Sequence, residues 1–115
     1  MPFKFDAPTP VSRGVAILLR AEDGVVVGGI TSCFVSSRQG AFSTNTRPGY
    51  LTATARITDP ASGETTIVAE WSNSTCLRRA DADKAFRAWI RANSIRDRMI
   101  EAAERRIPSE PARPR

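Results

Sequence analysis

The side chains in this sequence that could do chemistry are overwhelmingly arginines, and arginine chemistry is recognition rather than proton transfer. There is no histidine among the 115 residues, which removes the commonest general base and the commonest metal ligand. Serine nucleophiles need such a base beside them. Cys33 and Cys76 stand far apart in the chain, without the CxxC or CxxH spacing of a zinc site. Whether the two pair as a disulfide stays open. The carboxylates Asp6, Glu22, Asp23, Asp59 and Glu64 fall in turns or tails and do not form an acid/base pair of divided roles. The expectation is a protein that is not an enzyme and uses no metal and no cofactor.

What remains is a set of cations at telling spacings. Lys84, Arg87, Arg91, Arg98 and Arg105 return to nearly the same angle when placed at about 100° per residue, so they form one stripe on a helix. Two readings fit. The stripe is a solvated face in an arginine-rich chain, or it is an electrostatic footprint for phosphate or an acidic protein. Asp97, Glu101 and Glu104 dilute its field. A second constellation is Phe42 between Arg38 and Arg47, in a polar segment running from Ser36 to Gly49. An aromatic between arginines can stack on a base or anchor a partner. The alternative is that Phe42 folds back onto the core. Gly28-Gly29 lacks the surrounding pattern of a phosphate loop.

Charge distribution sharpens the first constellation. The formal net charge is +5. Residues 1–72 balance six basic with six acidic side chains, whereas residues 73–115 carry eleven basic against six acidic, so the whole excess lies in the C-terminal part. With 41% apolar and 25% charged residues the composition is that of an ordinary globular domain, and the length suits a single modest core. The start, Met1 to Asp6, lacks the apolar segment of a signal peptide. The longest apolar run, Val15 to Leu19, is too short to cross a bilayer. A cytoplasmic protein without a membrane segment is expected.

The elements that must position these cations follow from periodicity. Residues 80–107 form one long amphipathic helix, with Ala82, Ala85, Phe86, Trp89, Asn93, Ile100, Ala103 and Ile107 on its apolar side. Burying Phe86 and Trp89 contributes roughly 2–3 kcal/mol each. Asp81 caps the start, Pro108 forbids continuation, and Asp83–Arg87 and Glu101–Arg105 are favourable pairs. Two residues resist: Arg96 falls on the apolar side and Ile95 away from it. A capping box of Ser94 with Asp97 would divide the segment near Asn93, but a single helix, kinked there, is the expectation.

Four strands precede it. Gly14 to Arg20 and the run from Val25 form a hairpin about the turn Glu22-Asp23-Gly24. Apolar residues on both sides place that pair centrally. Gly28-Gly29 implies a bulge or a closely passing backbone. Tyr50 to Thr58 alternates, with Leu51, Ala53, Ala55 and Ile57 on one side. After the turn at Asp59 to Gly63 the chain returns with Ile67, Ala69 and Trp71 facing the helix. Residues 1–12 form an extended N-terminal arm, residues 13–107 a single α+β domain, and residues 108–115 a flexible, basic, proline-rich tail.

The fold class is therefore α+β: a four-stranded, or five-stranded, antiparallel sheet in two hairpins, followed by one long C-terminal helix packed on one face. In element order alone this resembles single-strand-binding folds of the Whirly type, without any of their motifs. The function expected is that of a small binding protein engaging nucleic acid or an acidic protein surface through Lys84, Arg87, Arg91, Arg98 and Arg105, with Arg38, Arg47 and Phe42 contributing from the loop. The alternatives are a small viral or mobile-element inhibitor or adaptor of a protein partner, or a subunit of a larger assembly such as a virion. A homo-oligomer is compatible with each.

Overall fold

A computed structural model describes residues 3–36 and 49–107, the side chains of Ser36, residues 74–77 and Arg79 excepted. The chain is α+β: the described residues form a six-stranded sheet, antiparallel throughout its pairings, and two helices. The strands are β1 (Lys4–Phe5), β2 (Thr9–Val11), β3 (Gly14–Arg20), β4 (Val26–Ser36), β5 (Gly49–Thr58) and β6 (Thr65–Leu77), and the helices are α1 (Arg79–Ala92) and α2 (Ile95–Arg106). Spatial order is β1-β3-β4-β5-β6, with β2 also paired to β3. The two hairpins read from the sequence are β3–β4 and β5–β6. The count of four strands falls short because residues 3–11 run extended against β3, Phe5 opposite Leu19 and Thr9 opposite Ala16. Phe3 is buried there, so the proline-rich start closes one side of the core.

Alternation decides the two faces. Leu51, Ala53, Ala55 and Ile57 of β5 are buried, and their partners Phe34, Ser32, Ile30 and Gly28 on β4 share that face. Ile17 and Leu19 continue it on β3. Gly28 is required by packing: a Cβ at this position would run into the carbonyl oxygen of Arg56 on β5. The same stretch carries the bulge expected of the glycine pair, with the ladder slipping between Leu19 and Arg20.

The single long helix is not what forms. Asn93 and Ser94 interrupt it, and Ser94 takes a left-handed conformation at φ 51° and ψ 43°. The backbone and the side-chain amide of Asn93 both donate to the Trp89 carbonyl, at 3.1 and 3.0 Å, and so end α1. Ser94 stands at the start of α2 without a side-chain capping bond, so the capping box does not form. The physical reason is visible in Ile95. A continuous helix would aim it into water, whereas the break re-phases the chain and buries Ile95, Met99, Ala103 and Ile107. On α1 the buried set is Ala82, Phe86, Trp89 and Ile90, while Asn93 is exposed. Trp89 stacks on Trp71 of β6 with centroids 5.5 Å apart, and on Phe86 at 6.5 Å. Both helices cover the same sheet face, α1 over β4 and β5, α2 over β5 and β6.

A second register slip, between Ala55 and Arg56 opposite β6, lies at Val68. It turns Ile67 to the outer face, where it is 52% exposed instead of lying under a helix. No described helix is long and apolar enough to cross a membrane.

Candidate anion-binding groove

The break in the helix also decides where the cations stand. Lys84, Arg87 and Arg91 project from one side of α1, and all three are exposed. Arg98 and Arg105 belong to α2, whose new phase carries them elsewhere. Arg98 donates through Nη2 to the Val68 carbonyl of β6 at 3.3 Å, and Arg105 pairs with Glu101 at 3.2 Å. The stripe is thus divided. Arg87 and Arg91 of its first part lie toward β3 and Pro8, and Arg98 and Arg105 of its second at the β6 side of the sheet. Arg38, Phe42 and Arg47 lie outside the described residues, as does the side chain of Cys76. Cys33 is half-buried on the outer face of β4.

What the structure does bring together is Arg87, Arg91 and Arg96. They line a groove of about 270 Å³ whose other walls are Pro8, Val15, Ile17, Phe86 and Ile90. Each wall has a local cause. Ile17 and Val15 come from β3, Phe86 and Ile90 from the core stripe of α1, and Pro8 from the turn between β1 and β2. Arg96, one residue into α2, is set by the same break that buries Ile95. Its guanidinium lies 5.1 Å from the centroid of the Phe5 ring, a cation–π contact that orients the fork while leaving its edges exposed. Arg87 is steadied by Asp83 at 3.3 Å. No ion pair is present at Arg91 or Lys84 among the described residues.

Arg96 was missed as a site residue in the sequence. The signal was there in its clash with the helical pattern, since an arginine on an apolar side marks either a broken helix or a special contact. Here it marks both. The pairs Asp83–Arg87 and Glu101–Arg105 form as their spacing predicts. No cluster of three or more potential metal-binding side chains occurs among the described residues.

The groove combines an apolar floor with three guanidiniums and one nearby carboxylate. Arginine forks pair bidentately with carboxylate or phosphate, and the floor takes an apolar side chain. The fold and the groove together define a small α+β protein with two helices on one face of an antiparallel sheet and a cationic, apolar-floored recess beside the first. Comparison of the chain with protein-family models, with curated proteins and with solved structures gives no match.

Proposed function

We propose that this chain is a binding module, not a catalyst, and that it engages an acidic segment of a partner protein. The observation that supports this reading is the convergence of Arg87, Arg91 and Arg96 around an apolar floor. A carboxylate-bearing peptide with an apolar anchor satisfies both halves of such a recess, because the anchor fills the floor while Asp or Glu pairs with the rim. A phosphate backbone satisfies only the rim. An inhibitor or adaptor role follows, with binding as the whole of the activity.

The test is titration of labelled peptides that place Asp or Glu on both sides of a leucine or phenylalanine. Saturable binding is expected, weakened by about tenfold or more in Arg87→Glu and Arg91→Glu. Equal binding of a peptide with Lys in place of its acidic residues would sink the reading. Nucleic acid is the second reading, favoured by the +5 charge and by Tyr50 and Arg56, both exposed on the sheet face opposite the two described helices. Retention on single-stranded DNA at about 50 mM salt, lost steeply as salt rises, would establish it instead.

A further inference from the structure

The turn between β3 and β4 carries the chemistry that complements the groove. Residues 22–26 read Glu-Asp-Gly-Val-Val, and all five are exposed. Five large apolar side chains stay exposed among the described residues. Val11, Tyr50 and Ile67 sit singly in β2, β5 and β6, whereas Val25 and Val26 are adjacent and follow directly on two carboxylates and a glycine.

This tip is ordered before it meets anything. Gly24 takes φ 89° and donates its N–H to the Ala21 carbonyl at 2.9 Å, while the Ala21 N–H donates to the Val25 carbonyl at 2.9 Å. The Asp23 carboxylate accepts from the Val25 N–H at 3.1 Å, and Arg20 donates through Nη1 to the Gly24 carbonyl at 2.8 Å. A loop fixed in this way loses little entropy on docking. Arg20 also reaches both carboxylate oxygens of Asp6 through Nε, at 3.1 and 3.0 Å, so its charge is met within the chain. Glu22 and Asp23 have no ion pair among the described residues.

The groove presents the converse. Asp83 meets Arg87, while Arg91 and Arg96 have no ion pair among the described residues. Two guanidiniums therefore answer two carboxylates, and the floor of Val15, Ile17, Phe86 and Ile90 answers two valines. The chain's own turn cannot make this contact. β3 is paired with β4 from Ala16 to Arg20, and at about 3.3 Å per strand residue the tip stands about 10 Å or more beyond Ile17.

We propose that the groove of one copy receives the β3–β4 turn of a second copy, with Val25 and Val26 on the floor and Glu22 and Asp23 on Arg91 and Arg96. The inference rests on the groove reading above and names its partner. Two copies that exchange turns close as a two-fold dimer; a single exchange leaves one turn and one groove open, and copies add head to tail.

Two variants each disable one half of the contact. Glu22→Gln with Asp23→Asn removes the charge and keeps an oxygen for the Val25 N–H. Arg87→Glu with Arg91→Glu reverses the groove. Sedimentation equilibrium should show self-association of the wild type, weakened by about tenfold or more in each variant alone. Mixed in equal amounts, the two variants should form a 1:1 complex and nothing larger, because one intact groove and one intact turn remain. Circular dichroism melts verify that both fold. A wild type that stays monomeric up to about 1 mM, or a mixture no more associated than its components, would overturn the proposal. The acidic peptide used to titrate the groove should dissolve the wild-type assembly, and assembly that survives excess peptide overturns the proposal too. Peptide binding by a wild type that never associates leaves the groove reading standing and removes this inference alone.

Discussion

Ser94 is the only described non-glycine residue with a positive φ. A side chain in the left-handed region costs about 1–2 kcal/mol, and glycine removes that cost while adding some backbone entropy. Ser94→Gly should therefore raise stability by up to about 1 kcal/mol, and Ser94→Val should lower it by about 1–2 kcal/mol. Urea unfolding midpoints of the two variants check both signs. Gly28 is the opposite case, a residue fixed by space and not by dihedral. Gly28→Ala forces its Cβ against the Arg56 carbonyl, so a loss of about 1–3 kcal/mol is expected. Both residues were legible only in part. The glycine pair announced a close backbone approach, because glycine in a strand has few other uses. Nothing in a serine announces a left-handed turn, since Ser is also an ordinary helix cap.

At the level of elements, periodicity carried the reading as far as regular geometry lasts. β5 alternates without interruption over its buried residues, and its inward set is the one its sequence predicts. β6 and the helical segment were misread at one point each, for a common reason. A bulge at Val68 and a break at Ser94 each shift the phase of everything beyond them. The bulge leaves no local sequence mark, whereas the break is marked by Ile95 and Arg96 falling out of the helical pattern. Ile95 and Ile67 report these shifts. In an unbroken helix Ile95 is solvent-facing and its truncation is nearly neutral. In the observed packing it is fully buried, so Ile95→Ala should cost about 2–5 kcal/mol. Ile67→Ala, on the exposed outer face, should stay within about 0.5 kcal/mol. Thermal or chemical denaturation of the pair gives opposite rankings for a continuous helix over a regular strand and for the packing described.

The whole molecule carries its excess charge in residues 73–115, yet the break at Ser94 keeps that charge from acting as one surface. Arg87, Arg91 and Arg96 serve the β3 side, while Arg98 and Arg105 serve the β6 side. A short acidic peptide held in the groove meets only the first group. A long polyanion, tracking the molecule, draws on both groups, and each phosphate neutralised adds to its salt dependence. Two sets of variants separate these cases. Arg87→Glu, Arg91→Glu and Arg96→Glu combined should abolish peptide binding, since every rim cation is reversed. Arg98→Glu with Arg105→Glu should leave it within about threefold, because distant exposed charges are screened over about 10 Å at 0.1 M salt. If the second pair instead weakens binding as much as the triple set, and the salt slope falls with each substitution, the ligand spans the molecule and the groove is only one stop along its path. That outcome would move the function from a protein partner to a nucleic acid, and it is read from the same titrations.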